Sequence, residues 1–330
     1  MARFLLKCLA YAAALVALVA VYVYGCDPLR VMRWHSDCYS DGVITNIGVA
    51  GVENFEHNPD RRRFDSFILG SSVSKNLLAA EWKRYLPDSA RVYHLSTDGQ
   101  MIPATRIMLE YAARQVDSLR HVIIVTSMWS VKEDVLHGNV FDLHPHVYTD
   151  PYRRLAAWLP FIGWSLNRNY IAAKLDYDLS GFQAPKFRHW LDVRPGTRYD
   201  ASLNELLISG YASDSVDIGS GMYAGIQKMC ASLRLNTIPS RITPKVEADL
   251  RAIAAIADRH GATLDFVLVN NEVPSARDDS IFCDIFGRRY HNMTTAFVAD
   301  RRNPANYYDK SHLFPELTTR IVDAALSASE

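Results

Sequence analysis

The sequence predicts an α/β protein with a mostly parallel sheet, preceded by an apolar N-terminal helix. Three observations carry this. Short apolar runs alternate with segments of helical period over residues 64–130, and the alternation returns over 243–330. The runs at 121–125 and 264–269 are apolar at most positions, as in strands covered on both faces. At the N-terminus, Arg3 and Lys7 precede an uncharged apolar stretch from Cys8 to about Tyr24.

That stretch is long enough to span a bilayer as a helix and longer than most signal-peptide cores. The basic residues before it favour an N-in orientation. The expectation is a signal anchor over 1–26, a single pass through the cytoplasmic (inner) membrane, with the globular part facing the periplasm or exterior. Two rival readings stay open. One is a cleaved signal peptide, although no small-x-small site follows. The other is a lipoprotein acylated on Cys26, although Tyr24 is bulky for a lipobox.

Residues 27–60 are mixed and polar and read as a stalk or lead-in. Residues 61–330 form the α/β domain, with an insertion at about 135–240. Phe64–Leu69 reads as a strand ending at Gly70, and Ser74 to about Tyr85 as a helix with Leu77, Leu78, Trp82 and Tyr85 at its spacing. Arg91–Leu95 is a second strand, closed by the polar turn Ser96–Gly99. A helix from about Pro103 to Val116 carries Ile107, Met108 and Tyr111 on one face. The insertion is rich in aromatics and turn residues and partly helical near 152–175; Trp158 to Trp164 reads as a packed lid rather than a membrane contact. Thr243-Pro244 is a capped helix start and Gly261 its stop. Pro315 opens a last amphipathic helix.

Composition bounds the function. Lys+Arg and Asp+Glu are 36 each, which argues against a nucleic-acid binder and its basic footprint. The charge runs Arg61-Arg62-Arg63 and Arg301-Arg302 read as solvated turns. Five cysteines show no Cys-x-x-Cys pair and no His/Cys cluster at zinc spacing, so neither a structural metal nor a cofactor is expected. Cys230 and Cys283 either pair in an oxidising compartment or remain free thiols.

Gly70-Ser71-Ser72 lies where a buried strand ends and a helix begins. Sites in open parallel sheets form at the carboxyl ends of strands. A serine there is accessible, and a following helix N-terminus offers N–H groups to an oxyanion. The competing reading makes Ser71, Ser72 and Ser74 turn and cap residues. Asp309-Lys310-Ser311-His312 adds the base and the orienting carboxylate that a serine nucleophile needs. Asn270 and Asn271 end the late strand, facing the same crevice. Asp98 reads as a turn residue, His144 and His146 as a surface loop, and Asn292-Met293-Thr294 as a sequon.

In this combination the chain resembles the SGNH/GDSL hydrolase superfamily. Gly70-Ser71-Ser72 matches the first block, with Ser71 in place of the usual Asp. Gly99 matches the second-block glycine, and Asp309 with His312 the final block. The third-block Asn is missing: Thr126-Ser127-Met128-Trp129 stands there. A Trp at that point is similar to the membrane-anchored branch resembling the D-alanyl-transfer protein of teichoic acid synthesis. Envelope-polysaccharide proteins of this layout share an anchor, Asp27-Pro28, and the run from Phe64 to Ser72.

The resemblance implies a doubly wound sheet of five parallel strands in flavodoxin-like order. It implies Ser72 as nucleophile, His312 as base and Asp309 as its orienter. The oxyanion hole falls to the N–H groups of Ser72 and Gly99, with Ser127 in the place of the Asn, and Trp129 joins Asn270 and Asn271 at the substrate. The function implied is an extracytoplasmic esterase or O-acyltransferase acting on an envelope polysaccharide or its carrier. Its partners are then the glycan or acyl carrier, the membrane, and a membrane-bound acyltransferase. The alternative is a non-catalytic accessory protein of polysaccharide assembly. The anchor and the bulky insertion argue against a general lipase.

Overall fold

The computed structural model describes residues 1–27, 31–34, 43–44, 47–133, 143–169, 171–172, 175, 179, 192–193, 197–208, 220–307 and 312–327. Asp309 and Pro28 lie outside these residues, as do 134–142 and most of 170–219 in the expected insertion.

Helix α1 spans Ala2–Val21 and runs on through a π-helical turn at Tyr22–Cys26. Its apolar portion, Ala2–Gly25, is long and apolar enough to cross a membrane. At 1.5 Å per residue it extends about 36 Å, against a hydrocarbon core of about 30 Å. No residue of α1 is buried against the rest of the protein. The helix stops at Asp27, which has a left-handed φ of +37°. The Asp27 carboxylate accepts the N–H groups of Val31, Met32 and Arg33 at 3.0, 3.1 and 3.2 Å, which fixes the first turn after the apolar segment.

The stalk expected over 27–60 gives way to a buried helix, α2 (Ile47–His57). Its apolar residues fall on all sides, so no helical stripe marks it in the sequence. Gly48 lets it approach the next loop: a Cβ there would overlap the Thr97 side chain.

The central sheet contains β1 (Ser66–Gly70), β2 (Val92–His94), β3 (His121–Ser127), β4 (Thr263–Val269) and β5 (Tyr290–Asn292). Their order across the sheet is β2-β1-β3-β4-β5, and every pairing is parallel. This is the flavodoxin-like order, with its topological switch between β1 and β3. The edge strand β5 has only three residues and no apolar run, so only four strands could be read from the residues alone.

The other described α-helices of five or more residues are α3 (Ala79–Lys83), α4 (Ile102–Gln115), α5 (Pro151–Ser165), α6 (Ser220–Ser232), α7 (Pro244–His260), α8 (Ala276–Phe286) and α9 (Pro315–Ser327). Alternate strand residues go to opposite faces. Phe67, Leu69, Val122, Ile124, Phe266 and Leu268 pack with α2, α4, α7 and α8. Ile68, Ile123, Val125, Val267 and Val269 pack with Trp82 of α3 and Leu317, Ile321 and Val322 of α9. Both faces are thus covered. The one acid in β4, Asp265, is compensated there by His291 at 3.1 Å and Arg289 at 3.0 Å.

The helix expected over 74–85 is broken in two. Ser72–Asn76 form a 3-10 turn, Leu77 and Leu78 are extended, and α3 restarts at Ala79. The cause is distant in sequence: the buried Glu205 carboxylate accepts the Ala79 N–H and caps α3. Helix α7 follows the sequence signals, with Thr243 Oγ1 accepting the Val246 N–H at 3.3 Å and Gly261 in the left-handed conformation at its end. Helix α5 ends at Ser165, and residues 168–169, 171–172 and 175 are helical again, as expected of a segment partly helical near 152–175. Helix α5 buries Ala157, Phe161 and Ser165 and leaves Tyr152, Leu155 and Leu159 exposed. Cys230 is a buried free thiol and Cys283 an exposed one, so no disulfide joins them.

Candidate active site

The site is built at the switch between β1 and β3. Gly70, the last residue of β1, opposes Val125 of β3. Its φ is +129°, and an added Cβ would lie 2.0 Å from the Val125 carbonyl oxygen. Only glycine fits this conformation and this approach. The chain then turns so sharply that Ser72 leaves the sheet at its carboxyl end. Ser74 fixes the turn: its N–H and its hydroxyl both donate to the Ser71 carbonyl, at 2.9 and 2.7 Å.

Ser72 Oγ lies 2.7 Å from His312 Nε2, across 240 residues of sequence. A hydroxyl and an imidazole at that distance can pass a proton from oxygen to nitrogen. Two buried groups hold the pair. Asn76 Nδ2 donates to the Leu313 carbonyl at 2.8 Å and ties the serine turn to the histidine segment. That segment is held in turn by a bridge between Leu313 and Tyr307 and by the Phe314 N–H on Asn306 O at 2.9 Å. Lys75, almost fully buried, forms an ion pair with Asp98. The pair joins the serine turn to the Gly99 loop, so Asp98 is more than the simple turn residue expected. Inside that loop, Gln100 Oε1 accepts the Thr97 N–H at 2.9 Å, and Gln100 donates to Thr105 at 3.1 Å.

Ser71, Ser72, Gly99, Ser127, Trp129, Asn270, Asn271 and His312 all line one cleft of about 560 Å³. Ser127 is almost fully buried at the end of β3, whereas Trp129 is 44% exposed on the rim, with the Lys132 ammonium 4.4 Å above its ring. A larger cavity of about 770 Å³, between Asn58, Lys83, Asp88 and Arg91, lacks any Ser–His pair among its described residues. The Ser72–His312 pair thus lies in the smaller cleft.

The cleft also contains residues that sequence reasoning missed. Arg301, expected in a solvated turn, is 2% exposed and lines the cleft. Its guanidinium donates to the carbonyls of Asn270, Thr294 (3.0 Å) and Met293 (2.8 Å). This clamps Asn270, which has a left-handed φ of +76°. Burial pushes the Arg301 pKa down to about 10, opposed by nearby Tyr307, and the group stays charged at neutral pH. Burial pushes the Tyr307 phenol up to about 12. Arg241 donates to the Met128 carbonyl at 2.8 Å and to Glu272 at 2.8 and 3.1 Å, and so fixes the β3 exit against the β4 exit. No local pattern announces Arg241 or Arg301; each works through carbonyls that only the fold brings near.

His144 and His146 are not in a surface loop. His144 is fully buried and His146 partly so, both against α2. In the sequon, Asn292 donates to Asp279 at 2.8 Å and accepts the Thr294 hydroxyl at 2.6 Å, so its amide is already engaged.

Neither protein-family models nor curated proteins give a match to this chain.

Proposed function

We propose that the protein is a membrane-anchored, extracytoplasmic SGNH-type esterase or O-acyltransferase whose substrate is an envelope polysaccharide or its acyl carrier. The 2.7 Å contact between Ser72 Oγ and His312 Nε2 carries this reading. Ser72 attacks the acyl carbonyl while His312 takes its proton. The carbonyl oxygen becomes an oxyanion held by the N–H groups of Ser72 and Gly99, with Ser127 in the position of the third-block Asn. His312 then returns its proton to the leaving oxygen, and water or a glycan hydroxyl releases the acyl group. Asp309, in this mechanism, orients the imidazole. The exposed Trp129 ring offers a sugar-stacking face, flanked by Asn270 and Asn271.

Labelling by a fluorophosphonate probe tests the proposal. The wild type takes up the probe on Ser72, and Ser72→Ala and His312→Ala do not. An unlabelled wild type would support the rival reading, a non-catalytic accessory protein that keeps the fold for binding glycan.

A further inference from the structure

Glu53 and Glu56 are three residues apart on α2 and therefore share a face of that helix. The turn at Pro145–Val147 brings His144 and His146 against this face. Suitable donor atoms of Glu53, His144 and His146 all lie within 4.8 Å of one another.

The contacts among them are close. His144 Nε2 is 2.9 Å from Glu53 Oε1. Yet this nitrogen makes no hydrogen bond among the described residues. His146 Nδ1 sits 2.8 Å from Glu56 Oε2. Glu56 is itself held by the Tyr111 hydroxyl at 3.0 Å. A carboxylate on Nδ1 keeps the proton there and leaves the Nε2 lone pair free, as in carboxylate–histidine–metal arrangements. Both histidine rings meet Trp158 in T-shaped contacts, at centroid distances of 5.8 and 6.0 Å, which gives the cluster an apolar cover.

We propose that Glu53, His144 and His146 bind a zinc ion, with Glu56 as the outer carboxylate that orients His146. Two imidazoles and one carboxylate form a donor set typical of zinc; magnesium and calcium prefer more oxygens. The four residues lie outside the Ser72 cleft. The ion staples α2 to the turn that leads into α5. Binding moves the His144 ring proton to Nδ1, at the expense of the 3.2 Å contact with the His146 N–H. Sequence spacing could not show the site, because its ligands come from segments 91 residues apart with no cysteine among them.

The test uses full-length protein in detergent, stripped with a chelator and titrated with zinc against a chromophoric competitor. One zinc ion per chain is expected, with micromolar or tighter affinity. Glu56→Gln should weaken binding roughly 10- to 100-fold. His146→Asn and the near-isosteric Glu53→Gln should weaken it at least as much, and Ser72→Ala should not change it. Zinc should raise the Tm of the wild type and leave that of His146→Asn unchanged. A wild type that binds no zinc overturns the proposal. So does equal binding by the wild type and either ligand variant, which would place the ion elsewhere.

Discussion

Gly70→Ala gives a sharp test of how the serine turn is built. The new Cβ would sit 2.0 Å from Val125 O and 2.9 Å from the Val125 carbonyl carbon. Relief requires β3 to move away from β1 by at least about 1.4 Å, the shortfall from ordinary contact distance. That shift weakens ladder bonds worth about 1 kcal/mol each. A φ of +129° adds about 1–3 kcal/mol for any side chain. Together these predict a loss of about 3–5 kcal/mol, at the upper end for single substitutions. Gly261→Ala is the control: its φ is also positive, at +62°, but nothing lies within 4 Å of the added Cβ. It should lose only about 1–2 kcal/mol. Urea denaturation followed by circular dichroism reads both. Equal losses in the two variants would refute the argument, since the close approach to Val125 would then contribute nothing.

Other outcomes follow from the same contacts. Asn76→Ala removes the hydrogen bond to Leu313 O; it should cost about 1–2 kcal/mol and lower the rate of probe labelling at Ser72 more than the loss of folded protein explains. Arg301→Met leaves three carbonyls without their donor and should destabilise by about 3 kcal/mol or more in denaturant titrations, with Arg301→Lys only partly restoring it. Thr243→Ala, at the start of α7, should cost about 1 kcal/mol in the same assay. Burial holds the His121 imidazole below the ordinary histidine range, modulated by Asp65, Arg120, Arg289 and Asp265. Below about pH 6.5 the unfolded chain therefore binds more protons than the folded one, and stability falls as pH drops. His121→Gln should flatten that part of the stability–pH curve.

Much of the fold was legible because its signals are local. The runs at 121–125 and 264–269 are buried on both faces, and Thr243, Pro244 and Gly261 mark α7 at both ends. Ser72 and His312 were legible as residue types at the ends of elements. What escaped depends on contacts distant in sequence. Helix α2 buries every residue from Ile47 to Phe55, polar ones included, so no solvent-facing stripe gives it a period. The break before α3 is set by Glu205, and Asn270 is held by Arg301. His144 and His146, flanking a proline, resemble loop residues until α2 is laid against them.

The separation of 240 positions between Ser72 and His312 has a consequence for synthesis. Domains tend to fold from the N-terminus as the chain emerges, and contacts between distant residues form late. The apolar N-terminal helix and the serine turn are both made long before the imidazole exists. A chain that stops before residue 312 therefore lacks the histidine that meets Ser72, and also lacks α9, which covers one face of the sheet. The contact between Ser72 and His312 can form only once the last segment of the chain is in place. On the proposed reading, incomplete chains have no base for Ser72 and take up no probe there.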